Sequence, residues 1–128
     1  MEIKATVSEI VTESNTALAV GSGSLKVYAT PAMLTLMEKA ACEAVSSLLN
    51  EGETTVGTLL NVSHVAATPV GMQVSATAEL LSHEGRKFVL KVTASDELGI
   101  IGEGMHERFT VNSERFIEKT YAKTKKLL

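Results

Sequence analysis

The hydrophobic pattern of this 128-residue chain changes its period twice, and each change marks a different kind of element. Residues 2–12 alternate loosely between polar and apolar side chains, the apolar ones being Ile3, Ala5, Val7 and Ile10. This period of two predicts a first strand, and the run TALAV at residues 16–20 predicts a strand that pairs with it. The sequence GSGS at residues 21–24 then forms a flexible break.

The next segment has the spacing of a buried helix. Thr30 followed by Pro31 is typical of a helix start, with Thr30 as the N-cap and Pro31 in the first turn. Apolar residues then recur three and four positions apart, at Met33, Leu34, Met37, Ala40, Ala41, Ala44, Val45, Leu48 and Leu49. Because the apolar stripe is wide, we expect this helix to be largely buried. Asn50-Glu51-Gly52 predicts its end.

Period two returns after the helix and persists for most of the remaining chain. It predicts four strands, at residues 54–67, 73–82, 87–96 and 100–111. The connecting sequences PVGM, HEGR and DELG are short, which is typical of antiparallel strands joined in a meander. Residues 113–128 predict a closing helix with Ser113 as its N-cap.

This order of elements predicts the fold class. One apolar helix has a single sheet to pack against, so we expect an α+β hotdog fold, a curved antiparallel sheet wrapped around one long helix, with a C-terminal helix added. The length predicts one domain over residues 1–128. Such a sheet has an open edge and a groove at the helix N-terminus, and both favour a homodimer in which a second copy covers them.

Composition narrows the class of function. Hydrophobic residues make up 45% and aromatic residues only 4%, so the core must be aliphatic. The net charge of −3 argues against nucleic-acid binding, and the basic tail is best explained as a solvated helix end. The single cysteine, Cys42, excludes an internal disulfide, and we expect it to be a buried small hydrophobe. No signal peptide or membrane-spanning stretch is evident, which favours a cytoplasmic protein.

Three polar residues stand out as candidate chemistry: Thr30, Glu38 and His64. Residues 30 and 38 of one helix are separated by about 12 Å along its axis, and one imidazole between them could contact both side chains. That geometry permits a relay of hydroxyl, base and carboxylate. Each residue alone also has an ordinary explanation: Thr30 as a cap, Glu38 as a solvated helix residue, and His64 as a structural histidine.

Three segments together resemble the fluoroacetyl-CoA thioesterase-like group of hotdog proteins. They are TPAMLTLMEKAACEAV, TVGTLLNVSHVAATPVGMQVSATAEL and GEGMHERFTV, and the resemblance covers roughly residues 25–118. The family motif has a threonine at the helix start, a glutamate eight residues later and a histidine 26 beyond that, matching Thr30, Glu38 and His64. The pattern HxAATPxG follows, and Gly57 and Arg108 match a family glycine and arginine near the acyl group.

The resemblance implies hydrolysis of a small acyl-CoA thioester in a groove between two copies of the chain. In that interpretation His64 is the general base, Glu38 orients it or attacks as a carboxylate, and Thr30 is a nucleophile or a polarising hydroxyl. Gly57 and Arg108 contact the substrate, and no metal or cofactor takes part. The segment AVGSGSLK at residues 19–26 has no aromatic residue to form a lid, so a short-chain acyl-CoA in general is the expected substrate.

Two alternatives belong to other classes of function. A hotdog module that binds an acyl-CoA without hydrolysing it would keep the groove and lose turnover. A hotdog hydratase or dehydratase also pairs a histidine with a carboxylate, but with a spacing that this sequence does not match.

Overall fold

One antiparallel sheet and one long helix build the protein. The computed structural model describes residues 2–127. The strands are β1 (Lys4–Ile10), β2 (Glu53–His64), β3 (Gln73–Glu84), β4 (Lys87–Ser95) and β5 (Ile100–Asn112), and the helices are α1 (Ala17–Val20), α2 (Thr30–Val45) and α3 (Ser113–Tyr121). The sheet order is β1-β3-β4-β5-β2. The predicted α+β arrangement of an antiparallel sheet with one long helix packed on it is therefore confirmed.

Helix α2 buries its wide apolar stripe mainly against β1 and β3. Met33, Met37, Ala40 and Ala41 are completely buried. The small alanines let the helix approach the sheet closely, and the flexible methionines fill the gaps that remain. Alternate residues of the strands complete the core, as their period of two requires. The core is largely aliphatic, but its two largest fully buried side chains are the aromatic Tyr28 and Phe88.

The strand order differs from the predicted meander at one place. β3, β4 and β5 follow one another through short turns, but β2 pairs with β5 and not with β3. The reason lies in residues 65–72, which cross the end of the sheet instead of forming a hairpin. Val65 N donates to Ile101 O and keeps this end of β2 against β5, whereas Gly71 N donates to Val11 O beyond β1.

The prediction of a strand at residues 16–20 is wrong, because these residues form the short helix α1. The Thr16 side chain accepts a hydrogen bond from Ala19 N and caps the helix. Gly21 ends it in the left-handed conformation, at φ 82°. The β-branched and apolar residues of the segment favour a strand, but the caps at both ends stabilise the helix and decide the conformation.

Three smaller expectations about the helices are also wrong. Helix α2 ends at Val45 and continues only as a 3-10 turn, Ser46–Leu48. Cys42 is exposed, because it lies on the side of α2 that faces away from the sheet. Asn112, rather than Ser113, caps α3 by accepting from Arg115 N. No helix in the described part of the chain is long and apolar enough to cross a bilayer.

The half of the sheet formed by β5 and β2 is only lightly covered by α2. Within residues 2–127, β2 has a neighbouring strand on one side only, and Leu59 near its middle is 45% exposed. A twelve-residue edge of this kind presents unpaired backbone groups to any strand that approaches. The open half of the sheet and the exposed flank of α2 therefore border the same groove.

Gly102 of β5 packs tightly against the Met33 side chain of α2 and the Ser63 backbone of β2. A Cβ there would lie 2.7 Å from the Met33 side chain and 2.8 Å from the Ser63 carbonyl oxygen. We expect Gly102→Ala to lower the free energy of unfolding by about 1–3 kcal/mol in urea denaturation, because the Ser63 backbone cannot move aside. The exposed neighbour change Glu103→Ala should cost less than about 0.5 kcal/mol, and equal losses would contradict this account.

Candidate active site

The hydroxyl of Thr30 lies at the start of α2 and contacts the His64 ring. Thr30 Oγ1 is 2.7 Å from His64 Nδ1. The prediction that Thr30 is the N-cap is wrong: Ala29 occupies that position and no side chain caps the helix. The Thr30 hydroxyl is therefore not used for capping, and within residues 2–127 its side chain hydrogen-bonds to His64 alone.

The surroundings of His64 favour a neutral ring. It is half-buried at the end of β2, and burial lowers its pKa, although the backbone of Ala66 opposes this shift in part. Nε2 is buried and has no hydrogen-bond partner within residues 2–127. A neutral imidazole beside a hydroxyl can accept the hydroxyl proton, which is the arrangement of a general base and its nucleophile.

A second polar pair lies farther along α2. Arg108 Nη1, on β5, donates to Glu38 Oε2 at 3.1 Å. Arg108 is 5% exposed, while the Glu38 side chain is 40% exposed. The pair sits over Gly57, where a Cβ would lie only 2.7 Å from Glu38 Oε2. Gly57 therefore provides the space that the carboxylate occupies.

Arg108 is held rigidly by the rest of its hydrogen bonds. Its Nε donates to Thr55 Oγ1 at 2.8 Å and its Nη2 to Thr55 O at 3.0 Å. Its Nη1 also lies 3.1 Å from His106 Nε2. These acceptors fix the orientation of the buried guanidinium, so that its Nη1 faces the carboxylate of Glu38.

The structure thus brings the five predicted site residues together as two groups. Thr30 and His64 form one pair, and Glu38, Arg108 and Gly57 form the other. The expected bridging of Thr30 and Glu38 by one imidazole does not occur within a single chain, since Glu38 bonds to Arg108 instead. The carboxylate of Glu38 is paired with the Arg108 guanidinium, and no hydrogen bond joins Glu38 to His64 within residues 2–127.

Each group borders a cavity. A cavity of about 290 Å³ adjoins Thr30 and His64, and its other walls are small or aliphatic apart from Tyr28: Ala17, Ser22, Val27, Val65, Ala66 and Ala67. A cavity of about 270 Å³ adjoins Glu38 and Gly57, together with Thr58, Leu59, Leu60 and His106. In the described part of the chain, no three histidine, cysteine or acidic side chains are grouped as metal ligands.

His106 was not singled out from the sequence. It is completely buried within β5. The available signal was its spacing from Arg108, because two residues apart on a strand share one face. Thr55 could not be found in this way, since its contact with Arg108 depends on the pairing of β2 with β5.

Comparison with solved structures defines the class of protein as the hotdog-fold thioesterase superfamily. A structure of the fluoroacetyl-CoA thioesterase FlK matches with a TM-score of 0.89 and 36% identity, covering 96% of each chain. A hypothetical protein from Thermus thermophilus, described as a thioesterase superfamily member, matches with a TM-score of 0.87 and 29% identity over 98% of this chain and 92% of that one. The predicted hotdog fold is therefore confirmed.

The family can be stated more narrowly. The family model described as fluoroacetyl-CoA-specific thioesterase (FlK) matches residues 11–114. The fluoroacetyl-CoA thioesterase of Streptantibioticus cattleyicolor is 44% identical over 99 residues, which are 77% of this chain and 71% of that protein. The chain belongs to this family, and by this membership it is a thioesterase.

The protonation of His64 can be measured directly. Because burial disfavours the imidazolium, we expect its pKa to lie below the ordinary value of 6.5. The ring is then neutral at pH 7 and gains its proton only as the pH falls through that lowered pKa. NMR titration of the ring protons, assigned by their loss in His64→Gln, measures it. A pKa at or above 6.5 would contradict the lowering of the His64 pKa by burial.

Proposed function

We propose that the protein hydrolyses a short-chain acyl-CoA thioester to the free acid and CoA. The observation that carries the proposal is the 2.7 Å contact between Thr30 Oγ1 and His64 Nδ1, at the edge of a cavity. The relatives that share the fold and family are named for hydrolysis of fluoroacetyl-CoA, so the chemistry of a thioester fits both lines of argument.

In the proposed reaction His64 acts as the general base. As the Thr30 oxygen attacks the thioester carbonyl, its proton passes to His64 Nδ1. The tetrahedral intermediate then expels the CoA thiolate, a good leaving group that takes up the proton. Water activated by the same imidazole hydrolyses the acyl-threonine. If the Thr30 hydroxyl instead polarises the carbonyl, His64 activates water directly and the same groups are needed.

Glu38 has a separate role in this proposal. Arg108 binds one of its oxygens, Oε2, and Oε1 makes no hydrogen bond in residues 2–127. A carboxylate that is held firmly at one oxygen and free at the other can attack a carbonyl or take a proton from water. Gly57 and Glu38 border the cavity in which we place part of the substrate, and Arg108 holds Glu38 at its edge.

The two groups would act on one thioester if the site forms between two copies. Within one chain, Thr30 and Glu38 are separated by about 12 Å along α2. If the open β2 edges of two copies pair antiparallel about a two-fold axis, the Gly57 half of one strand lies against the His64 half of the other. Glu38 of one copy then approaches the Thr30–His64 pair of the second.

The walls beside His64 support a broad range of acyl groups. Ala17, Ser22 and Ala66 are small, and residues 21–26 contain no aromatic side chain that could cover the cavity. A pocket discriminates by what its walls exclude. We therefore propose short-chain acyl-CoA esters as the substrate class, with fluoroacetyl-CoA as one member and not as a uniquely favoured substrate.

A panel of acyl-CoA esters tests the function. Wild-type protein should release free thiol from acetyl-, propionyl- or fluoroacetyl-CoA, and His64→Ala should lower kcat/KM by about 10²–10⁴-fold, because the base is lost. His83→Ala, which removes an exposed histidine outside the site, is the matched control and should retain activity.

The same panel separates the alternatives. Binding of these esters by calorimetry without release of thiol would favour the non-catalytic binding module. Hydration of an enoyl-CoA would favour a hydratase. Equal activities of His64→Ala and wild type would exclude His64 as the base.

Mixed dimers test whether the two groups meet across an interface. His64→Ala and Glu38→Gln should each be nearly inactive alone, whereas co-expressed and randomly assembled chains should recover roughly a quarter of wild-type activity. Half of such dimers are mixed, and each mixed dimer has one site with both residues intact. Size-exclusion chromatography with light scattering checks the dimer, and a mixture as inactive as its two components would place both groups in one chain's site.

A further inference from the structure

His106 is a buried titratable side chain that the proposed reaction does not use. It is completely buried on β5, on the same face as Arg108. Nδ1 lies 2.8 Å from Leu59 O, and Nε2 lies 3.1 Å from Arg108 Nη1. Both ring nitrogens therefore have partners, one on the edge strand β2 and one on the guanidinium that holds Glu38.

The chemistry of these two partners fixes the form of the ring. A carbonyl oxygen can only accept, so Nδ1 carries the proton and donates to Leu59 O. Arg108 can only donate, so Nε2 must be an unprotonated acceptor. The ring is thus neutral with its proton on Nδ1. Burial, the largest influence, lowers the pKa of His106 and agrees with this form.

The two hydrogens of Arg108 Nη1 then have different acceptors. One goes to Glu38 Oε2 and the other to His106 Nε2. The remaining donors of the guanidinium toward β2 are taken by Thr55. With His106 in place, Arg108 offers Nη1 to only one carboxylate oxygen.

We propose that His106 is a positioning residue, which occupies the second Nη1 hydrogen of Arg108 and so keeps Oε1 of Glu38 free for the reaction. This inference rests on the proposed function of Glu38. Without the acceptor on His106, the second Nη1 hydrogen is buried without a partner. Thr55 still holds Nε and Nη2 of Arg108, so the half-exposed carboxylate of Glu38 turns until Oε1 also accepts from Nη1. The carboxylate is then less available to the substrate.

Two substitutions of His106 separate its two hydrogen bonds. The amide nitrogen of His106→Asn replaces Nδ1 and keeps the bond to Leu59 O, but no acceptor reaches Arg108. The amide oxygen of His106→Gln replaces Nε2 and keeps the bond to Arg108, but loses the bond to Leu59 O. The variants are alike in polarity and differ chiefly in which partner they retain.

Kinetics of the two variants provide the first test. His106→Asn should lower kcat about ten- to a hundredfold with KM changed by less than about threefold, because the carboxylate is misplaced in the transition state. His106→Gln should stay within about threefold of wild type in both constants. Equal losses of kcat in the two variants, in proportion to their losses of thermal stability, would show a merely structural role and overturn the proposal.

NMR of the arginine side chain provides a second test that does not depend on activity. In wild type and His106→Gln, the Arg108 Nη1 hydrogens should give resolved, slowly exchanging signals, because both are bonded. In His106→Asn the signal of the second Nη1 hydrogen should shift, because its acceptor changes from the imidazole of His106 to the carboxylate of Glu38. Unchanged signals in His106→Asn would contradict the positioning role even if the wild type hydrolyses no thioester, whereas failure of the acyl-CoA panel alone would count only against the function.

Discussion

The burial of one face of α2 determines where two polar residues of the candidate site, Thr30 and Glu38, lie. Met33, Met37 and Ala40 are fully buried against the sheet, and each buried methionine contributes about 1.5–3 kcal/mol relative to exposure. Rotating the helix by one residue, about 100°, would expose these side chains and push Glu38 toward the core. The hydrophobic core therefore holds Thr30 and Glu38 on the open flank of the helix, with no help from a side-chain cap.

Arg108 on β5 supplies the positive charge that pairs with Glu38 on this flank of α2. Its inward face carries His106 and Arg108 where a sheet would ordinarily bury aliphatic residues. Burying a guanidinium is costly unless it is paired and fully hydrogen-bonded. Thr55, Glu38 and His106 meet this requirement together, so removing any of them leaves a buried donor without an acceptor. Stability and geometry of the site are thus coupled through one side chain.

The sequence was sufficient to predict most of the elements and to identify candidate site residues, because its signals were periodic and local. The apolar stripe predicted α2, the alternation predicted the strands, and the spacing of Thr30, Glu38 and His64 identified candidates. It failed where contacts between distant segments decide the result. Three contacts depend on which strand lies beneath which turn of α2. They are the pairing of β2 with β5, the hydrogen bond between Thr30 and His64, and the ion pair between Glu38 and Arg108. A count of residues along one helix cannot supply this information.

The division into two groups follows from the same long-range pairing. His64 stands opposite Gly102 on β5, and Gly57 stands opposite Arg108, so the two groups are set at different positions along β2. A single chain keeps them apart because strand and helix are both rigid. The free edge of β2 could pair antiparallel with the same edge of a second copy, and that pairing would place the Gly57 end of one strand beside the His64 end of the other. The open edge of β2, along which the two groups of candidate residues are spaced, is therefore also the edge at which two chains would bring them together in the dimer that we propose.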